Sequence, residues 1–186
     1  AFEADRLVRR NDDGTIKALR GRVLTDVGSG EVYIPGTATS LVSAACLPGA
    51  YRIPHVAMSI ICAVTNKTPS GAYRGFGEPE AVFAMERIVE MIAKRIGQES
   101  HEIRRRMLYT AGEHPVRLAS GAILDSGSHL EAYERAVEIG RASLERATAA
   151  ARHRPDVRVG VGFAPYIEAC APTYFDSSSL TKLPSA

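Results

Sequence analysis

The segment Thr65 to Glu80, TNKTPSGAYRGFGEPE, holds the densest set of residues able to do chemistry. Gly71, Gly75 and Gly77 surround Tyr73, Arg74 and Phe76. Glycine lets a backbone approach a ligand closely and leaves its amides accessible. Arg74 adds a planar cation suited to phosphate or an oxo-anion. Phe76 adds a flat apolar face for a ring-shaped substrate. The segment feeds what reads as the start of a long helix, where free N–H groups favour anions. The same residues also fit plainer roles. The glycines can simply permit a turn, Arg74 can make a surface salt bridge, and Phe76 can staple a helix on its Val82 side. Composition alone favours the plainer roles, and the concentration of all these features in one loop brings the two readings to balance.

Other chemistries are tested and fail. Zinc needs clustered His or Cys ligands, whereas His55, His101, His114, His129 and His153 are scattered and read as surface or structural residues. The phosphate-loop pattern GxxxxGK[ST] does not occur. Gly75-Phe76-Gly77 begins like a dinucleotide fingerprint, but Glu80 stands where a third glycine is needed. A GxSxG nucleophile elbow does not occur either. Cys46, Cys62 and Cys170 are too few and too far apart for a disulfide framework or a paired-cysteine metal site. The triplet Arg104-Arg105-Arg106 reads as a solvated helix face balanced by counter-charges.

The elements around the loop follow from periodicity. Leu7–Arg10 and Thr15–Leu19 flank Asn11-Asp12-Asp13-Gly14, the signature of a hairpin whose second strand runs on to Val27. A small-residue helix is expected over 37–47 and an apolar strand over 56–65. Pro79 suits a first helical turn. Val82, Met85, Ile88, Val89, Ile92 and Ile96 fall on one helical face, and Gly97 stops it. A shorter helix follows over 99–108, then a Gly, Ser and Pro-rich loop over 109–127. Ser128 and Glu131 have capping-box spacing, and Leu130, Tyr133, Val137, Gly140 and Leu144 form one stripe of a helix reaching about Ala151. Val157–Ala169 alternates like a strand. Strands and helices mix without a regular βαβ rhythm, so the expected class is α+β, a mixed sheet with packed helices.

The chain has 186 residues, a net charge of +2, 45% apolar and 24% charged residues. That length can bury a core, and the composition is globular. No basic surplus points to nucleic acid, and no apolar run reaches membrane-spanning length. The cysteine usage and the absence of an apolar leader at the start of the sequence point to a cytoplasmic protein.

In wider context, the loop resembles a known family. AYRGFG with PEA after it (Ala72 to Ala81), the helix MERIVEMIAKRIG and the segment EIRRRML resemble the molybdopterin-binding large subunit of the xanthine dehydrogenase and aldehyde oxidase family. LPGAYRIPHV before the loop, DDGTIKALRGRVLTDVGS upstream and GVGFAPYIEA downstream extend the likeness to about Ala169. The resemblance implies residues 1–170 as a segment of a molybdopterin-binding domain and 171–186 as a Ser-rich tail, truncated or disordered. It implies a molybdenum hydroxylase that oxidises an aldehyde or aromatic N-heterocycle with water-derived oxygen. Electrons would leave through 2Fe–2S clusters and FAD on partner domains or subunits. The molybdopterin's nucleotide is left open, with cytosine dinucleotide one form. The partners implied are the remainder of the molybdenum subunit, iron–sulfur and flavin subunits, and a small-molecule substrate.

By position, the resemblance assigns Tyr73, Arg74 and Gly75 to the cofactor and Phe76 and Val42 to the substrate. Xanthine-oxidising members carry an arginine where this chain has Val42, which argues against a purine held in the same way. Copper-containing carbon monoxide dehydrogenases carry a cysteine where this chain has Gly75. The family's catalytic glutamate lies outside the matched regions, so the segment alone lacks a complete site. Two alternatives stand beside this: a non-catalytic structural or assembly segment of the same fold, and an anion-binding module built on the Gly75–Pro79 loop and the helix start.

Overall fold

The computed structural model describes residues 2–30 and 36–168; the tail expected over 171–186 lies outside them. Strands β1 (Phe2–Arg10) and β2 (Ile16–Gly28) form an antiparallel hairpin. Its turn is closed by Asn11 N–H to Thr15 O at 2.8 Å and Gly14 N–H to Asn11 O at 3.1 Å. Helix α1 (Gly36–Cys46) carries the chain over to β3 (His55–Val64), which pairs with β2 in parallel. The result is a mixed three-stranded sheet of order β1-β2-β3. Helices α2 (Glu78–Ile96) and α3 (Ser100–Met107) follow. A 3-10 turn at Ala111–Glu113, a short hairpin of β4 (Val116–Arg117) with β5 (Ile123–Leu124), and α4 (His129–Ala150) complete the described elements. The α+β class holds. No described helix is long and apolar enough to cross a membrane.

The core is built from alternation in β2 and the stripe on α2. Leu19 and Val23 alternate inward from β2 and Ile16 is buried at its start, while Met85, Ile88, Val89 and Ile92 point inward from α2. Each such side chain contributes about 1.5–3 kcal/mol relative to exposure. Ala81 and Ala84 are fully buried, and such small side chains permit close packing of α2 on α1. Tyr133 and Val137 dock α4 on the same core.

Three readings of the sequence are corrected here. Arg104 does not lie on a solvated face: it is 1% exposed. Its Nε donates to Glu86 Oε2 at 2.7 Å and its Nη2 to Glu90 Oε1 at 2.8 Å, while the Tyr51 hydroxyl donates to Glu86 Oε1 at 2.7 Å. Sequence spacing cannot show this, because Glu86 and Tyr51 come from other elements. Burial pushes the Glu86 carboxyl up, opposed by Arg104 and by the Tyr51 hydrogen bond. Burial also works against the Arg104 charge, but Glu86 outweighs it and the guanidinium stays protonated.

The Ser128 side chain makes no cap bond on α4. Glu131 instead accepts from the Ala111 N–H at 3.2 Å. The capping box forms at Thr110 and Glu113, where Glu113 also takes Arg52 and is held down at a pKa of about 2, chiefly by that arginine. Lastly, 157–168 forms neither helix nor strand among the described residues. Its alternation is real, with Phe163 and Ile167 packed on the core, but among the described residues it has no strand to pair with. The 109–127 loop, in turn, contains the β4–β5 hairpin around a small cluster of Leu118, Ala122 and Leu124.

Candidate functional site

The loop between β3 and α2 has a fixed root and an open tip. Asp26 near the end of β2 organises the root. Its carboxylate accepts from Thr65 Oγ1 at 2.6 Å, Lys67 Nζ at 2.6 Å and Gly28 N–H at 3.1 Å. Those bonds, Lys67 first, lower its pKa to about 2. Backbone bonds reinforce them: Thr65 N–H to Gly28 O, Ser29 N–H to Lys67 O and Ser70 N–H to Val27 O, each at 3.0 Å. Gly28 is required because a Cβ there would sit 2.3 Å from Thr68 O.

The tip is made of two consecutive turns. Phe76 N–H donates to Tyr73 O at 2.7 Å and Glu78 N–H to Gly75 O at 2.8 Å. The third residue of each turn is a glycine with positive φ, Gly75 at +87° and Gly77 at +102°. That sign is what a type II turn needs at this place. Gly77 also seats the loop on α1, where its carbonyl accepts from Ser43 Oγ at 2.9 Å. A Cβ on Gly77 would lie 2.3 Å from Thr39 O.

These turns bring Tyr73, Arg74, Gly75 and Phe76 together. Tyr73 is 87% exposed, Arg74 is exposed, and Gly75 and Phe76 are half-buried. Among the described residues, neither the Arg74 guanidinium nor the amides of Arg74 and Gly75 have a hydrogen-bond partner. Val42 is different. It is buried at 4% exposure on α1, one residue from the Ser43 that holds Gly77. The arrangement offers backbone amides, one unpaired cation and an aromatic face to an anionic or oxo-bearing group. It does not use the helix start as an anion site, since Glu78 and Glu80 occupy the first turn of α2 and already complement its dipole. This disfavours the anion-module alternative.

Sequence reasoning missed Asp26 and Ser43, which hold the loop in place, and Thr39, whose carbonyl leaves no room for a Cβ on Gly77. The spacing of Asp26 from Lys67 carries no signal, because only β2–β3 pairing brings them together. His114 and His129, scattered in sequence, have ring centroids 5.2 Å apart. No group of three or more potential metal ligands occurs among the described residues.

A mixed α+β module presenting a glycine turn beside a buried helix is thus the class that fold and loop define. The chain belongs to the molybdopterin cofactor-binding domain family, whose model matches residues 2–108. It is 36% identical over 127 residues to the 6-hydroxypseudooxynicotine dehydrogenase complex subunit gamma of Paenarthrobacter nicotinovorans, covering 65% of this chain and 16% of that one. It is 31% identical over 132 residues to the nicotinate dehydrogenase large molybdopterin subunit of Eubacterium barkeri, covering 68% and 30% respectively. Among solved structures it resembles quinoline 2-oxidoreductase of Pseudomonas putida 86, with a TM-score of 0.68, 30% identity, and coverage of 79% of this chain and 19% of that one. The chain therefore spans less than a third of the length of these relatives.

Proposed function

We propose that this chain is a section of a molybdenum hydroxylase large subunit that presents the Tyr73–Phe76 turn to molybdopterin and substrate. The observation that carries the proposal is the unpaired, exposed Arg74 on a turn whose amides are open and whose root is fixed. The residues fit the group: a molybdenum–dithiolene centre bears oxo, sulfur and phosphate groups that accept hydrogen bonds. When bound, it would supply two-electron oxidation with a water-derived oxygen. The Arg74 and Gly75 amides and the Arg74 guanidinium would hold it, and Tyr73 would flank it. Phe76 would orient an aromatic ring and exclude water from one side of it. Buried Val42 would shape that wall without adding charge, unlike an arginine.

Relatives named for 6-hydroxypseudooxynicotine, nicotinate and quinoline support an aromatic N-heterocycle as substrate. The likeness to Desulfovibrio gigas aldehyde oxidoreductase, with a TM-score of 0.69 and 25% identity, supports an aldehyde as the second reading. Iron–sulfur and flavin partners, with 2Fe–2S and FAD, follow from the same assignment, as do a cytoplasmic location and a domain segment spanning 1–170.

The test is elemental molybdenum and released pterin in the intact complex. Arg74→Ala should lower both several-fold. Phe76→Ala should raise KM for an N-heterocycle while leaving both in place. A wild-type complex without molybdenum overturns the proposal, as does identical metal content and kinetics in both variants.

A further inference from the structure

Two histidines meet where the β4–β5 segment returns to α4. His114 stands just before β4, and His129 is the first residue of α4. Their ring centroids lie 5.2 Å apart with the planes at 49°, and Tyr109 meets His114 edge-on at 6.5 Å. Nδ1 and Nε2 of His114 and Nε2 of His129 are all buried and have no hydrogen-bond partner. Gly127 lies against His129, since a Cβ on it would fall 2.6 Å from that Nε2. Buried polar atoms are nearly always bonded, so three bare nitrogens in one contact call for a reason. A neutral imidazole can keep its proton on Nδ1 and leave Nε2 bare, whereas the cation must carry an N–H on both. At Nε2 of His129 that N–H would find no acceptor within hydrogen-bond distance. The charge would also sit at the N-terminal end of α4, where the helix dipole repels cations.

We infer that His129 is a proton-sensitive latch: neutral, it seats against His114 and holds residues 114–128 to the start of α4; protonated, it leaves that seat and frees the segment. The titratable groups facing it are His114 from the chain before β4, with Tyr109 behind that ring, and Glu131 from α4 itself. Burial first, and His114 second, push His129 below its ordinary value, while Glu131 pulls the other way. Glu131 is also occupied, since its carboxylate accepts from the Ala111 N–H at 3.2 Å. The seated value thus lies below the free one of about 6.5. Closure is complete above that pH and weakens as pH falls from there towards the seated value. Neighbouring contacts do not titrate in this range. Glu113, held at a pKa of about 2, keeps its pair with Arg52, and the Leu130 N–H still donates to Tyr109 O at 3.1 Å. Opening is therefore confined to the β4–β5 hairpin and its flanks. The inference does not depend on what the Tyr73–Phe76 turn binds.

The test is amide hydrogen–deuterium exchange of the intact complex from about pH 7.5 to about 5, corrected for the intrinsic pH dependence of exchange. The Leu118 and Gly121 amides, bonded within the β4–β5 turn, are the reporters. Their protection should fall roughly tenfold over that range while that of α2 stays constant. In His129→Gln, which keeps a polar side chain without the charge, their protection should not change with pH. Constant protection in the wild type overturns the inference, and so does an equal fall in the variant. Exchange of the histidine C2 hydrogens, followed by mass spectrometry, gives the midpoint of His129 directly. A midpoint below about 6.5 in the complex that returns to about 6.5 in urea agrees with the latch; one at or above 6.5 in the complex overturns it. That second measurement uses the wild type alone, so it decides the matter even where His129→Gln is open at every pH.

Discussion

Two arginines thirty residues apart show how one side chain serves opposite ends. Arg104 is 1% exposed and spends its guanidinium on Glu86 and Glu90. Arg74 is exposed and, among the described residues, has no partner. A buried charge is tolerable only when paired and hydrogen-bonded, so Arg104 is committed to the scaffold. A cation left in solvent over a fixed glycine turn costs the fold little and remains free for a ligand. Regions around the first should report on stability, and those around the second on binding.

Removing Arg104 tests the buried side most severely. Arg104→Ala strands Glu86 beside Tyr51 without its counter-charge, and should cost about 3–5 kcal/mol in urea unfolding of the intact subunit. A loss below about 1 kcal/mol would place Arg104 with the surface residues. Next comes the seat of the loop on α1. Gly77→Ala forces a Cβ towards Thr39 O at a φ of +102°. Backbone strain alone is worth about 1–3 kcal/mol there, and cofactor content should fall with stability.

Asp26→Asn comes third and carries a pH signature. The native carboxyl is held at about 2 by Lys67, Thr65 and the Gly28 amide, below its unfolded value. Its stabilisation is therefore complete above the unfolded pKa and lost as pH falls through about 2. The stability gap between wild type and variant should be constant at neutral pH and narrow in strong acid. Trypsin should cut after Lys67 or Arg74 faster in the variant at neutral pH. A gap that widened on acidification would remove Asp26 from this role. Arg74→Ala should have the smallest effect on stability, within about 0.5 kcal/mol, while bound molybdenum drops. A clear shift in Tm would move Arg74 to the scaffold side.

Much of the architecture was legible because it rests on local signals. The Asn-Asp-Asp-Gly turn predicts the β1–β2 hairpin, and the six-residue stripe from Val82 to Ile96 predicts α2 to within a residue. Signals that competed locally were read less well. Ser128 and Glu131 have capping-box spacing, but Glu131 is drawn to Ala111, and the box forms instead at Thr110 and Glu113. Val157–Glu168 keeps the period of a strand without becoming one, since a strand is defined by its neighbour. The loop at Tyr73–Phe76 was visible as a candidate site from residue types. Its supports, Asp26 and Ser43, were not, for they are ordinary residues made important by contacts more than thirty positions away.

The amino-acid order by itself settled the long helices and the first hairpin, where the glycine turn lies and which side chains it offers. Those properties depend on backbone preference and on hydrophobic repeats spanning a few residues. Tertiary structure alone decided that Arg104 is buried while Arg74 is open, that Asp26 anchors the loop, and that β3 lies parallel beside β2. Each of these is set by the charges, backbone groups and strands that folding brings alongside, and the chain order does not encode those neighbours locally.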